Sequence, residues 1–145
     1  MTAAALYVAE PPAQYLVIPP LVVDCSVLSS ALFEEESRDV ALDRLKGKAL
    51  HAPYLLEQEL VSVALKKQRQ GWDAESIALV LANYSSLNMA LHPTDIAAQH
   101  DLAVRYALSA YDAAYLWLAA GLKAPLATFD KKLATAAKTH LANLS

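Results

Sequence analysis

The sequence predicts an α/β fold: a three-layer α/β/α sandwich around a central, mostly parallel sheet of four or five strands. Short apolar runs rich in β-branched residues alternate with longer amphipathic segments, which is typical of a parallel sheet covered by helices. The chain has 145 residues, of which 56% are hydrophobic, and its net charge is −3. This length and composition predict one domain with a full core and exclude extensive disorder.

Apolar runs, capping residues and glycines place the elements of the first half. In chain order they are a strand at 21–23, a helix at 26–33, a helix at 38–46 between the N-cap Ser37 and Gly47, a strand at 49–52, and a helix at 53–70 that begins at Pro53 and ends at Gly71. Residues 1–20 carry two Pro-Pro pairs and no basic side chain. We predict that they form an N-terminal arm laid on the domain, which spans residues 21–145.

The same signals place the elements of the second half. In chain order they are a helix at 74–84 capped by Asp73, a strand at 88–91, a helix at 95–106 capped by Thr94, a helix at 110–120 between Ser109 and Gly121, a strand at 125–129, and a helix from 131 to about 138. The last residues lack the clear hydrophobic run of a closing strand, so the sequence leaves open whether a fifth strand forms there.

Composition also bears on location. No apolar stretch reaches the roughly 20 residues of a membrane-spanning helix, and no Lys or Arg precedes Arg38, as a secretory signal would require. The single cysteine, Cys25, excludes a disulfide framework within the chain. We therefore expect a cytoplasmic protein with no membrane contact.

The four histidines are scattered and are predicted to take surface or turn positions.

Two acidic residues directly follow predicted strands. Asp24 ends the run at 21–23, and Asp130 ends the run at 125–129. Ligands of open parallel sheets bind in the crevice at the carboxyl ends of the strands, so two acids there can share one site. The structural alternative is that each Asp caps the helix that follows it.

Two more acidic residues interrupt apolar helix stripes. Glu59 lies four residues after Leu55 and four before Val63, whereas Glu57 lies off that stripe and is predicted to be solvated. Asp112 shares a face with Tyr115 and its neighbours. An inward charge is costly without a partner. The alternatives are a Glu59 that reaches solvent at the stripe edge and an Asp112 stabilised by the helix dipole.

If these four carboxylates lie close together, a bound cation would offset their mutual repulsion. Each pair would repel by about 3–4 kcal/mol at roughly 4–5 Å with an effective dielectric of 20. Oxygen ligands without His or Cys favour Mg²⁺ or Mn²⁺. An acidic site holding such ions is suited to phosphodiester hydrolysis. Lys131 and Lys132, directly after Asp130, are candidates for contacts with the phosphate backbone of a nucleic acid, or else lie on a solvated helix face.

Four segments resemble the blocks of the PIN-domain family. They are Leu21-Val22-Val23-Asp24-Cys25-Ser26-Val27, the run from Ala52-Pro53 to Glu59-Leu60, Ser109-Ala110-Tyr111-Asp112-Ala113-Ala114-Tyr115, and the run from Ala124-Pro125 to Asp130-Lys131-Lys132-Leu133. Their order and spacing agree with the family over about residues 21–138. By this resemblance Asp24, Glu59, Asp112 and Asp130 are the catalytic and metal-binding residues, and Ser26 and Thr128 support them.

The resemblance implies a Mg²⁺- or Mn²⁺-dependent endoribonuclease acting on single-stranded RNA. The compact length is similar to VapC-type toxins of toxin–antitoxin pairs, which are usually homodimers inhibited by a cognate antitoxin. The helix at 74–84 adds apolar residues that we expect to lie at a dimer interface together with the helix at 38–46: Ile77, Leu79, Val80 and Leu81. One alternative is a PIN-like module that binds RNA or protein without cleaving it. A phospho-accepting domain or phosphatase would need a second acid beside Asp24, where Cys25-Ser26 stands.

Overall fold

The computed structural model describes residues 3–12 and 18–144 and has the predicted α/β architecture. Within these residues five strands and seven helices occur, in the order β1 (Tyr7–Ala9), β2 (Pro20–Val23), α1 (Cys25–Leu32), α2 (Arg38–Leu45), β3 (Ala49–Pro53), α3 (Leu55–Arg69), α4 (Ala74–Ser85), β4 (Ala90–His92), α5 (Ile96–Tyr106), α6 (Ala110–Leu122), β5 (Leu126–Thr128) and α7 (Lys131–Ala142).

The strands form one sheet in the order β1-β5-β2-β3-β4. The pairs β5-β2, β2-β3 and β3-β4 are parallel, and β1 pairs antiparallel with β5. Leu21, Val22 and Val23 are consecutive in β2 and at most 1% exposed. Because successive strand residues point to opposite faces, helices must cover both faces of the sheet at this strand.

The helices fall into two groups. Helix α6 contacts α5 and α7, and it lies against β2, β3 and β5; helix α1 contacts α2, α3 and α4. The largest fully buried side chains come from both groups and include Phe33, Tyr115, Leu28, Leu56 and Leu116. The core is therefore built on the central strands, and Asp24 and Asp130 follow the carboxyl ends of β2 and β5.

The fifth strand was not predicted at its actual position. It is β1, inside the segment predicted as an arm, and it adds to the β5 edge with Val8 opposite Ala127. The C-terminal residues, where the sequence left a fifth strand open, continue as helix to Ala142. Residues 13–17 of the predicted arm lie outside the described residues.

Several predicted ends were wrong for local reasons. Thr94 does not cap α5, because the Asp95 carboxylate accepts from the N–H groups of Ala97 and Ala98. Pro53 ends β3 instead of opening α3. Gly121 lies inside α6, whose end falls at Lys123 in the left-handed region, φ 50°.

Other predicted ends were right. Asp73 caps α4, accepting from Ser76 N at 2.7 Å, and Gly47 follows α2 with a positive φ of 74° that glycine adopts without strain. Ser37 occupies the N-cap position of α2, but its hydroxyl makes no capping bond there and donates instead to the Ala4 carbonyl at 3.5 Å.

Two histidines take strand positions rather than the predicted surface or turn positions. His51 Nδ1 and His92 Nε2 lie 2.9 Å apart across β3 and β4. Burial, together with His92, holds the pKa of His51 below its ordinary value. The pair adds a side-chain link between these two neighbouring strands.

No helix within residues 3–12 and 18–144 combines the length and apolar character needed to cross a bilayer.

Candidate active site

The strand register brings the first and last predicted acids to one edge of the sheet. In the parallel pair β2-β5, Val23 stands opposite Ala127, and the Asp24 N–H donates to the Ala127 carbonyl at 3.3 Å. Asp24 therefore leaves β2 beside Thr128 at the end of β5. Asp130 follows two residues later, where α7 begins.

Two hydroxyl groups fix the Asp24 carboxylate. Ser26 Oγ donates to Oδ1 at 2.6 Å and accepts from the Phe129 N–H at 3.0 Å. Thr128 Oγ1 donates to Oδ2 and accepts from the Asp130 N–H at 2.9 Å. Because a backbone N–H occupies a lone pair of each hydroxyl, each hydroxyl proton is directed to the carboxylate. The two residues predicted to support the acidic centre thus contact Asp24.

The capping alternative also holds for both strand-end acids. Asp24 Oδ1 accepts from Val27 N at 3.2 Å at the start of α1, and Asp130 Oδ1 accepts from Leu133 N at 2.9 Å at the start of α7. Capping and a role in the site are compatible for Asp130, whose side chain is exposed. For Asp24, which is only 6% exposed, capping alone does not explain two further hydroxyl donors.

Glu59 reaches the same region from α3. Tyr115 OH, on α6, donates to Glu59 Oε1 at 2.7 Å. The Tyr115 side chain is 1% exposed, so its hydroxyl needs a buried partner, and Glu59 supplies it. The hydrogen bond joins α3 to α6 and occupies one of the two carboxylate oxygens of Glu59.

Asp112 lies in the first turn of α6. Its N–H donates to the N-cap Ser109 at 3.1 Å, which starts the helix. Burial raises the pKa of its carboxyl and Asp130 raises it further, whereas the Ser109 hydroxyl and Lys132 lower it. The Asp112 carboxyl therefore interacts electrostatically with both Asp130 and Lys132 at the start of α7.

The carboxyl groups raise one another's pKa values. Burial raises the pKa of Asp24 to about 6 despite its three hydrogen bonds, and Asp112 contributes. Burial also raises the pKa of Glu59, with contributions from Asp24 and Asp112 and an opposing one from the Tyr115 hydroxyl. The four predicted residues thus form one electrostatically coupled group, in which Asp112 interacts with the other three.

The donor set fits a hard divalent cation in its chemistry. All four groups are carboxylates, the oxygen ligands that such an ion prefers, and a cation among them would offset their mutual repulsion. Among residues 3–12 and 18–144, however, no three His, Cys, Asp or Glu side chains are already arranged to hold a metal ion. Side-chain movement would have to bring the carboxylates together around the ion.

The two lysines after Asp130 have different surroundings. Lys132 is close enough to Asp112 to lower its pKa. Both lysines line a cleft shared with Tyr106, and Lys131 also lines a second cleft beside β1. Lys132 is therefore the better placed of the two for a phosphate held near the carboxylates.

Sequence reasoning missed Tyr115 and the partner of Glu57. Tyr115 was assigned to the apolar stripe, although a tyrosine on a buried stripe signals a hydroxyl that needs a partner. Glu57 is exposed as predicted, but it accepts a hydrogen bond from Tyr84 OH at 2.8 Å. Glu57 and Glu59 therefore each bond one tyrosine, and only Glu59 faces the other acids.

Comparisons with known proteins bear on the family and the fold. The PIN domain family model matches residues 21–139. Among solved structures, the chain is similar to the crystal structure of PAE2754 from Pyrobaculum aerophilum, with a TM-score of 0.63 and 24% identity, covering 92% of this chain and 88% of that one. At this identity the likeness shows the fold alone. No curated protein matches the chain.

Proposed function

This chain belongs to the PIN domain family, and we propose that it is a metal-dependent endoribonuclease that hydrolyses phosphodiester bonds of single-stranded RNA. Members of the family are generally nucleases that use divalent metal ions. The observation that carries the proposal is the arrangement of Asp24, Glu59 and Asp112, which come from three separate parts of the chain and lie close enough to interact electrostatically. Hydroxyl groups hold two of them, Asp24 and Glu59, in place. Carboxylates that repel one another do not stabilise the fold. Their presence together therefore favours a ligand that binds to them.

Asp24, Glu59, Asp112 and Asp130 would hold Mg²⁺ or Mn²⁺. The ion supplies a Lewis acid for the phosphate and lowers the pKa of a bound water. The protein's own part is positioning. The Ser26 and Thr128 hydroxyls hold Asp24 in one orientation, and the Tyr115 hydroxyl holds Glu59.

The lysines complete the proposed site. Lys132 is near Asp112 and is proposed to contact the phosphate of the bound strand, with Lys131 next to it. In a chain of net charge −3, such local positive groups are needed to offset the repulsion between the site and an RNA backbone. The proposed substrate is single-stranded RNA, because we propose that the acidic crevice admits one backbone and not a duplex.

The biological setting is also part of the proposal. The similarity of length and blocks to VapC-type toxins supports a toxin role with a cognate antitoxin, a homodimer, and a cytoplasmic location, where an unpaired Cys25 stays reduced. The genetic neighbourhood tests this part separately. A small DNA-binding protein with a charged tail, encoded next to this chain, is the expected finding.

A second candidate is a PIN-like module that binds RNA or a protein without cleaving it. One observation favours it: the described carboxylates are not preassembled into a metal cluster. The fully retained set of four acids argues against it, because a binding module gains nothing from their repulsion.

Metal-dependent stabilisation distinguishes the two functions. We expect MnCl₂ to raise the thermal unfolding midpoint of the wild-type protein, since an ion at about 100 times its Kd adds about 2.7 kcal/mol. Asp112→Asn should lose this rise. Asp101→Asn is the matched control, because Asp101 pairs with Arg105 on the exposed face of α5. Equal rises in the wild-type and Asp112→Asn proteins would contradict the assigned metal site.

A further inference from the structure

A cleft between α1 and α3 shares Glu59 with the acidic group and extends beyond it. It has a volume of about 620 Å³, which lies in the range of ligand-binding pockets. Ser26 and Glu59 belong both to its wall and to the site described above. A molecule bound at the acids would therefore have a neighbouring part in this cleft.

Helix α3 turns one continuous stripe towards the cleft. Its members are spaced i, i+3, i+4, i+7 and i+8 and are Leu55, Gln58, Glu59, Ser62 and Val63. Leu55 and Val63 supply apolar walls, and Gln58 and Ser62 supply polar groups between them. A stripe of this kind suits a flat ligand with apolar faces and polar edges.

The other walls match the same ligand. Helix α1 contributes Ser26 and Ser29, and Cys25, whose thiol burial keeps protonated by raising its pKa to about 12. Tyr111, in the first turn of α6, closes one end and is 60% exposed. An exposed aromatic ring next to a cleft is a stacking surface for a base.

We propose that this cleft binds an unpaired nucleobase of the RNA strand, stacked on Tyr111 and contacted at its edge by the amide of Gln58. The inference rests on the proposed endoribonuclease function and adds a determinant of base preference to it. Gln58 offers both a donor and an acceptor, so it discriminates between base edges. The occupied cleft would set the nucleotide next to the scissile phosphate.

Four variants test this assignment. Tyr111→Ala removes the ring, and Tyr111→Phe keeps it without the hydroxyl. Gln58→Ala removes the amide, and Gln68→Ala is the matched control, because it changes the same residue type about three turns further along the same helix. Cleavage of single-stranded RNA randomised at the positions around the cut gives base preference, and steady-state kinetics give kcat and KM.

We expect the wild-type, Tyr111→Phe and Gln68→Ala proteins to share one base preference. Tyr111→Ala should raise KM about five-fold or more, as loss of one stacked base does. Gln58→Ala should reduce the difference in cleavage between bases, and it should change kcat less than it changes this preference. Equal preference and KM in all five proteins would overturn the cleft assignment while leaving the nuclease intact.

Binding separates this proposal from the nuclease itself. If the wild-type protein cleaves no RNA, the proposed function fails, and fluorescence anisotropy with the same labelled RNA then tests the cleft alone. Weaker binding by Tyr111→Ala than by Tyr111→Phe would support it. Absent binding, or binding that Tyr111→Ala and Gln58→Ala leave unchanged, would overturn it.

Discussion

Asp24 is held by hydroxyls that are themselves held by the backbone. Ser26 and Thr128 each accept from a backbone N–H of the β5–α7 connection and donate to one carboxylate oxygen. Asp24 is therefore tied at once to its own helix and to the strand beside it. The arrangement keeps a buried carboxylate oriented even though burial disfavours its charge.

Thr128→Val tests the orientation of Asp24. The substitution keeps the shape of a side chain that is 1% exposed, but it leaves Asp24 Oδ2 and the Asp130 N–H without this hydroxyl. We expect it to cost about 1–3 kcal/mol of unfolding free energy at pH 7 and to lower RNA cleavage. Thr128→Ser keeps the hydroxyl and should lose much less. Urea denaturation measures both, and equal losses would mean that packing matters more than the hydrogen bond.

Asp24→Asn tests the charge of the buried carboxyl. Its pKa is about 6 in the folded protein against 3.8 ordinarily, so between these pH values the folded state binds more protons than the unfolded state. The contribution of Asp24 to stability therefore falls as pH rises from about 4 to about 6 and is level above.

The variant should lose this pH dependence. In EDTA, Asp24→Asn should gain stability relative to the wild-type protein as pH rises through that range, by on the order of 3 kcal/mol. Cleavage should be abolished at the same time. A difference in stability that does not change between pH 4 and pH 7, measured by urea denaturation, would show that the Asp24 charge carries no folding cost.

At the scale of elements, β1 forms an edge of the sheet, although a segment of three residues was too short to be predicted as a strand. It covers the β5 edge of the sheet, with Tyr7 opposite Thr128, and α7 packs against it. Three residues near two Pro-Pro pairs give too weak a periodic pattern to predict a strand. What places β1 is the unpaired edge of β5, a tertiary feature that local sequence does not encode.

Deleting residues 1–12 tests the role of β1. The deletion exposes backbone groups of β5, and an open edge strand is a template for pairing with another chain. We expect a lower thermal unfolding midpoint and added self-association in size-exclusion chromatography. The predicted site residues lie outside the deletion, so Mn²⁺ should still stabilise the shortened protein. An unchanged midpoint would mean that the β5 edge needs no cover.

The sequence was most informative about the site where an acidic residue directly follows a predicted strand. Asp24 and Asp130 were predicted together because each ends an apolar run, and parallel strands bring such ends to one edge. Tyr115 was missed because helical periodicity treats tyrosine as apolar and does not reveal where its hydroxyl points. The N-cap Asp95 was missed because Thr94 and Asp95 are both capping residues, and only the backbone decides between them.

At the scale of the whole molecule, the structure leaves fewer apolar side chains of α4 exposed for a dimer interface than the sequence predicted. Ile77 and Val80 of α4 are buried in the core and Leu81 is partly buried, so of that apolar set Leu79 remains largely exposed. Helix α2 adds Val40 and Leu42 to the exposed apolar surface. The predicted homodimer would have to use these side chains.

Sedimentation velocity tests the dimer. We expect a dimer at micromolar concentration and a shift towards monomer for Leu79→Glu, since a charge at a covered apolar position is costly. Leu79 is 63% exposed in the single chain, so the substitution should leave the fold intact. A wild-type monomer at these concentrations would contradict the dimer and leave the α2 and α4 surface for another partner.

The central claim, that the coupled carboxylates perform metal-dependent RNA cleavage, is tested most directly by comparing Glu59→Gln with Glu57→Gln. Both glutamates lie on α3 and accept a tyrosine hydroxyl, but only Glu59 is coupled to Asp24 and Asp112. With labelled single-stranded RNA and MnCl₂, the wild-type and Glu57→Gln proteins should cleave, EDTA should stop them, and Glu59→Gln should lose at least about 100-fold in rate, about 2.7 kcal/mol. Cleavage that persists in EDTA, or that both substitutions reduce equally, would contradict the account.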